Sequence, residues 1–104
     1  MFNSGDVVVA TVKLEDTKEA RTRPVLVLFE EYTNVVVAGI TSNPYVKGIP
    51  ISKKEGALKD STIKLNQIFT LERDTLSAPL FKLSDEKRRM VFDALVELLS
   101  GLSG

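Results

Sequence analysis

The chain contains no cysteine, no histidine and no tryptophan. Without cysteine there is no disulfide framework, and without cysteine or histidine the soft ligands preferred by zinc, copper and iron–sulfur centres are missing. Neither a transition-metal centre nor any other cofactor is expected. The lack of histidine also removes the side chain that titrates nearest neutrality, which excludes Ser-His, Cys-His and paired-histidine catalysis. Long hydrophobic runs are absent too: the longest, 25–29 and 35–40, fall far short of the roughly 20 residues that a membrane-spanning helix needs. The amino terminus has no basic start, and Asp6 interrupts the approach to the first apolar run, so it does not read as a secretory signal. The expected location is the cytosol, with no membrane partner. Net charge is missing as well, since 14 basic residues balance 14 acidic ones. That argues against broad attraction to a polyanion and leaves room for a local basic groove.

What is present suffices for one core. A length of 104 residues with 43% hydrophobic content predicts a single domain over 1–104. The segments 6–13, 23–29 and 34–41 are rich in valine and leucine, bounded by Gly, Pro, Asn or Thr, and short enough to be strands. In the second and third, Val25-Leu26-Val27-Leu28 and Val35-Val36-Val37-Ala38 are too continuous for a sheet with one wet face. They predict burial on both sides, as when a sheet curls over a core or meets a partner. Pro24 stands at a strand start, where a missing N–H is tolerated.

Ser42-Asn43-Pro44-Tyr45 and Lys47-Gly48 then read as a loop, 49–52 as an edge strand carrying Pro50, and Lys53-Lys54-Glu55-Gly56 as a turn. Segments 61–65 and 67–71 alternate apolar and polar residues, with Ile63, Leu65, Ile68 and Phe69 predicted to be buried and a bulge or corner at Asn66. The end of the chain reads as a helix capped by Ser84, with Asp85 and Glu86 at the positive end of its dipole and Gly101 closing it. Val91, Ala94, Leu95, Leu98 and Leu102 form its inward stripe. The class is mainly β with a C-terminal helix: five or six strands in a small barrel closed on one side by that helix.

Four pieces, in this order, resemble the MazF/PemK family of toxin endoribonucleases: Gly5-Asp6-Val7-Val8, Arg23-Pro24-Val25-Leu26-Val27, Ile40-Thr41-Ser42, and Ser61-Thr62-Ile63-Lys64-Leu65-Asn66-Gln67-Ile68. The resemblance implies an SH3-like barrel, a homodimer, and single-stranded RNA held in a groove across two subunits. It implies cleavage by attack of the ribose 2′-hydroxyl on the adjacent phosphate without a metal, and a cognate antitoxin whose disordered segment folds into the groove. By the same resemblance Arg23 and Thr41 are the catalytic candidates. An arginine suits such chemistry because its planar five-donor fork stabilises charge growing on phosphate oxygens. Thr41 would donate its hydroxyl to the same phosphate, and Ser42 would help to hold the nucleotide in line.

One version of the family pattern has an arginine and an aspartate where this chain has Lys64 and Asn66. An amide orients a group but has no useful basicity, so the identity of any base is left open. The segment 14–22 reads as a mobile loop bordering the groove, from which Lys18 and Arg21 would contact backbone phosphates. Lys64 and Asn66 would also face RNA. Phe29 reads as core, and Tyr45, in a polar turn, as the candidate for stacking on a base. Lys53 and Lys54 fit either a solvated turn or the rim of the groove. On residue type alone Thr41 satisfies a turn and Arg23 pairs with Glu15, Asp16 or Glu19. Two other readings stay open: a barrel without catalysis that binds RNA or a protein, and a generic SH3-like barrel that binds an extended peptide.

Overall fold

The structure, a computed structural model, describes residues 2–13 and 20–104. Among these residues six strands form one antiparallel sheet: β1 (Asp6–Lys13), β2 (Ala20–Glu31), β3 (Asn34–Thr41), β4 (Ile49–Ile51), β5 (Ser61–Glu72) and β6 (Phe81–Lys82). Their order across the sheet is β4-β5-β3-β2-β1-β6, so β4 and β6 are the two edges of a curled, open barrel. A helix, α1 (Asp85–Leu99), closes the chain and runs into a 3₁₀ turn over Ser100–Ser103.

The apolar runs do lie in a sheet covered on both faces. Val7, Leu26, Ala38, Ile40, Ile63 and Leu65 pack with Ile49 and Ile51 of β4, Leu83 and Val91 on one side. Val8, Ala10, Val25, Val27, Val35 and Val37 pack with Phe2, Leu71 and Leu76 on the other. Consecutive residues of a strand point to opposite faces, so Val25 and Val27 enter one cluster and Leu26 the other. Curling turns both faces into interior, and β-branched side chains fill such layers well.

The bulge expected at Asn66 is present. Gly39 stands opposite Lys64, and its neighbour Ala38 opposite Ile68, so Leu65, Asn66 and Gln67 are extra residues on β5. That irregularity lets one long strand serve both halves of the barrel: before it β5 lies between β4 and β3, and beyond it pairing continues along β3. Beyond it the burial expected of Ile68 and Phe69 fails: they are 48% and 45% exposed. Phe29, expected in the core, is 48% exposed. It follows a register shift after Val27 that ends the simple alternation of β2.

Ser84 caps α1 as its sequence suggests, its Oγ accepting from the Lys87 N–H at 3.1 Å. The inward stripe holds at Val91, Ala94 and Leu95 but not at Leu98 and Leu102, which are exposed and pack against neither core cluster. Gly101 does not form a left-handed stop; the helix tightens into the 3₁₀ turn behind Ser100 instead. The start of α1 is tied to β4 by Lys87, whose ammonium donates to the Pro50 carbonyl at 2.6 Å and pairs with Glu55 at 3.2 Å. Glu55 accepts from the Ser52 N–H at 2.6 Å, and that bond, helped by Lys87, holds its carboxyl below the usual carboxylate range. The contact is present above the ordinary carboxylate range and fades as pH falls through the lowered value.

Edge strand β4 is positioned by a close approach of backbone to backbone. A Cβ on Gly48 would strike the Ile63 carbonyl oxygen of β5 and lie 2.7 Å from Thr62 Cγ2. Gly48→Ala is therefore expected to cost about 1–3 kcal/mol of stability, the scale of overpacking, read by urea denaturation. A midpoint equal to that of wild type would show that β4 has room to move.

Candidate active site

The ladder between β2 and β3 ends with Val25 opposite Gly39. Two residues further along the strands stand Arg23 and Thr41, which alternation sets on one face of the sheet. On the other side of β3, Thr62 lies directly opposite Thr41. Where β3 ends and β2 parts from it, a pocket of about 470 Å³ opens, lined by Arg23, Thr41 and Ser42. Thr22, Pro24, Ile40 and Ile51 also line it, so residues of both faces border the pocket at this end of the sheet. Lys59, Ser61 and Phe81 are among the other residues of its wall.

Thr41 does satisfy a turn: its Oγ1 accepts from the Asn43 N–H at 3.2 Å. A hydroxyl that accepts through a lone pair keeps its hydrogen for donation, so the turn orients Thr41 and leaves its donor available. Asn43 in turn accepts from the Tyr45 N–H at 3.0 Å, which folds the loop back behind Ser42. Two overlapping side-chain turns thus fix the segment that carries Thr41 and Ser42.

Among the described residues that line the pocket, charge is of one sign. Its cations are Arg23 and Lys59, and no aspartate or glutamate is among the described residues that line it. Lys59 was not among the residues that the sequence singled out. Among the described residues it forms no ion pair, and its carbonyl accepts from Ser61 Oγ at 2.8 Å, which holds the turn that presents it. The only signal for it in the sequence was its place shortly before the fourth matching piece. Thr22, Ser61 and Phe81 were missed as well.

The other candidates fall elsewhere. Lys64 is half-buried opposite Gly39, and Asn66 is exposed in the bulge; neither lines the pocket. Arg21 is exposed in β2, opposite Val12, and also stays outside. Tyr45 is 91% exposed on the loop behind Ser42 and does not line the pocket. Lys18 lies outside the described residues, as do Glu15, Asp16 and Glu19. The segment expected as a loop over 14–22 is shorter at its carboxyl end, because residues 20–22 belong to β2. Lys53 and Lys54 form an exposed 3₁₀ turn.

Comparison with known proteins fits this layout. Residues 3–99 match the family described as PemK-like, MazF-like toxin of type II toxin-antitoxin system. The chain belongs to this family. It is 34% identical over 106 residues to the Endoribonuclease MazF of Staphylococcus saprophyticus, covering 91% of this chain and 88% of that one. In fold it is similar to the Mycobacterium tuberculosis toxin MazF-mt6, with a TM-score of 0.74 and 22% identity over 91% of this chain and 96% of that one. The small β-barrel with a C-terminal helix is thus the PemK/MazF fold. The family match also covers all four pieces of sequence that resembled it, the pocket residues among them.

Proposed function

We propose that this chain is the toxin of a type II pair: an endoribonuclease that cuts single-stranded RNA at selected sequences by attack of the ribose 2′-hydroxyl. The observation that carries the reading is the convergence of Arg23, Thr41, Ser42 and Lys59 on one pocket with no acidic lining residue among those described. A phosphodiester bears one negative charge and exposes two non-bridging oxygens. A guanidinium fork and a hydroxyl donor at one pocket suit those oxygens, and an ammonium beside them suits a neighbouring backbone phosphate.

In this scheme the 2′-oxygen bonds to phosphorus as the bond to the 5′-oxygen breaks. The products are a 2′,3′-cyclic phosphate and a 5′-hydroxyl, and the proton lost by the attacking hydroxyl is balanced by the one gained at the leaving oxygen. Arg23 stabilises charge growing on the non-bridging oxygens, since an arginine keeps its proton near neutral pH. Thr41 donates to the same group. Ser42 and the loop fixed by Thr41 and Asn43 hold the sugar and phosphate in line, an effect that can account for much of such a barrier. No histidine or carboxylate is needed for these roles.

Departure of the central motif at Lys64 and Asn66 bears less on this chemistry than the sequence suggests, because neither residue borders the pocket. The reading includes a cognate antitoxin in the groove and a homodimer in the cytosol. Half-exposed Phe29, Ile68 and Phe69, together with Leu98 and Leu102 on the helix end, are apolar surface that a second copy would remove from water. Light scattering is expected to give a dimer at micromolar concentration; a clean monomer there would remove that part of the proposal.

The activity itself is tested by incubating purified protein with a long mixed-sequence RNA in EDTA and mapping new ends. Discrete cuts bearing 5′-hydroxyl ends are expected. Intact RNA beside a folded protein would favour the non-catalytic barrel that binds RNA.

A further inference from the structure

A second pocket, of about 610 Å³, adjoins the first and shares Ser42, Ile51 and Ser61 with it. Its chemistry is opposite. Glu55 and Asp60 line it, and its cation, Lys87, is already engaged by Glu55 and the Pro50 carbonyl. Lys59 and Asp60 are consecutive, and the turn presents the lysine to the first pocket and the aspartate to the second. A phosphate would be repelled from the second cavity, whereas a group that donates hydrogen bonds would be drawn into it.

We propose that this second pocket reads the base of a nucleotide next to the scissile phosphate, with Asp60 accepting from an exocyclic amine. The inference rests on the first pocket being the cleavage site. Asp60 Oδ1 accepts from the Lys53 N–H at 3.0 Å, which fixes the carboxylate and leaves Oδ2 to accept from a ligand. An acidic side chain is the usual acceptor for the amine of cytosine, and uracil, of the same shape, presents a carbonyl oxygen in that place. Hydroxyls of Ser52 and Thr62 line the pocket and can donate to or accept from the rest of the base edge, while that of Ser61, whose hydrogen goes to the Lys59 carbonyl, can accept. The two pockets thus divide one strand of RNA by chemistry: backbone to the cations, base to the carboxylate.

The test uses a set of RNAs that differ only by cytosine or uracil at each position flanking one mapped cut, with wild-type protein and Asp60→Asn. Asparagine keeps an oxygen for the Lys53 N–H and replaces the open acceptor by a donor. Wild type is expected to prefer cytosine over uracil at one flanking position by about tenfold, and Asp60→Asn to reverse that preference. An unchanged base profile in Asp60→Asn, or a wild type that prefers uracil at every flanking position, would overturn the proposal while leaving the cleavage site standing. RNA left uncut by wild type would overturn both.

Discussion

Arg23→Ala is expected to slow RNA cleavage about a hundredfold or more, the scale of losing one donor to a developing oxyanion, with the melting temperature unchanged. Folding should survive because the side chain is exposed and Arg23 joins the sheet through backbone pairing opposite Ala10. Lysine at this position would keep the charge but lose the planar fork, so Arg23→Lys should recover only part of the rate. Single-turnover cleavage of one short RNA containing a mapped site separates the chemical step from product release. A wild-type rate in Arg23→Ala would mean that the reacting phosphate lies elsewhere, and Lys59 would be the next cation in the pocket to examine.

Strands were legible where pattern and burial agree. Valine-rich runs that leave no wet face predicted a sheet covered on both sides, and β1 and β3 have the expected limits. The bulge was legible because the alternation of β5 breaks at Asn66. Strand β6 was not, since two residues carry no periodic signal and Phe81–Lys82 pairs only with the start of β1. Phe29, Ile68 and Phe69 misled for a different reason: apolar residues in a strand predict a covered face, but register shifts in β2 and β5 turned these to partly open surface. On the helix, Leu98 and Leu102 keep the right spacing yet are exposed and pack against neither core cluster.

The site was legible in a narrower sense. Residue type alone gave Thr41 a turn and Arg23 an ion pair, and the turn is indeed made. Spacing cannot reveal that a bond to the Asn43 N–H leaves the threonine donor available, nor that residues 36 positions apart in the chain, Arg23 and Lys59, meet at one cavity. That meeting depends on β5 pairing beside β3, a contact between segments distant in sequence. Lys64 and Asn66, carried from the central motif, belong to the ladder and its bulge rather than to the strand end where the pocket opens.

Thr41→Val is expected to lower cleavage by about a hundredfold, because the isosteric side chain removes the donor while filling the same volume. It also removes the acceptor for the Asn43 N–H, so a loss of rate by itself would not separate chemistry from loop order. The kinetic constants do. A hydroxyl that donates in the transition state acts on kcat with KM little changed, whereas a loop that fails to hold RNA raises KM. Thr41→Ser retains both the donor and the acceptor and should stay within a few-fold of wild type. A Val variant that loses only binding would make Thr41 a residue that positions the loop, and the negative charge at phosphorus would then rest on Arg23 and the backbone around Ser42. Combining Thr41→Val with Arg23→Ala sharpens the distinction. Two donors to one phosphate act as a unit, so the double variant should be slowed much less than the product of the single effects. Losses that multiply would place the two side chains in independent roles.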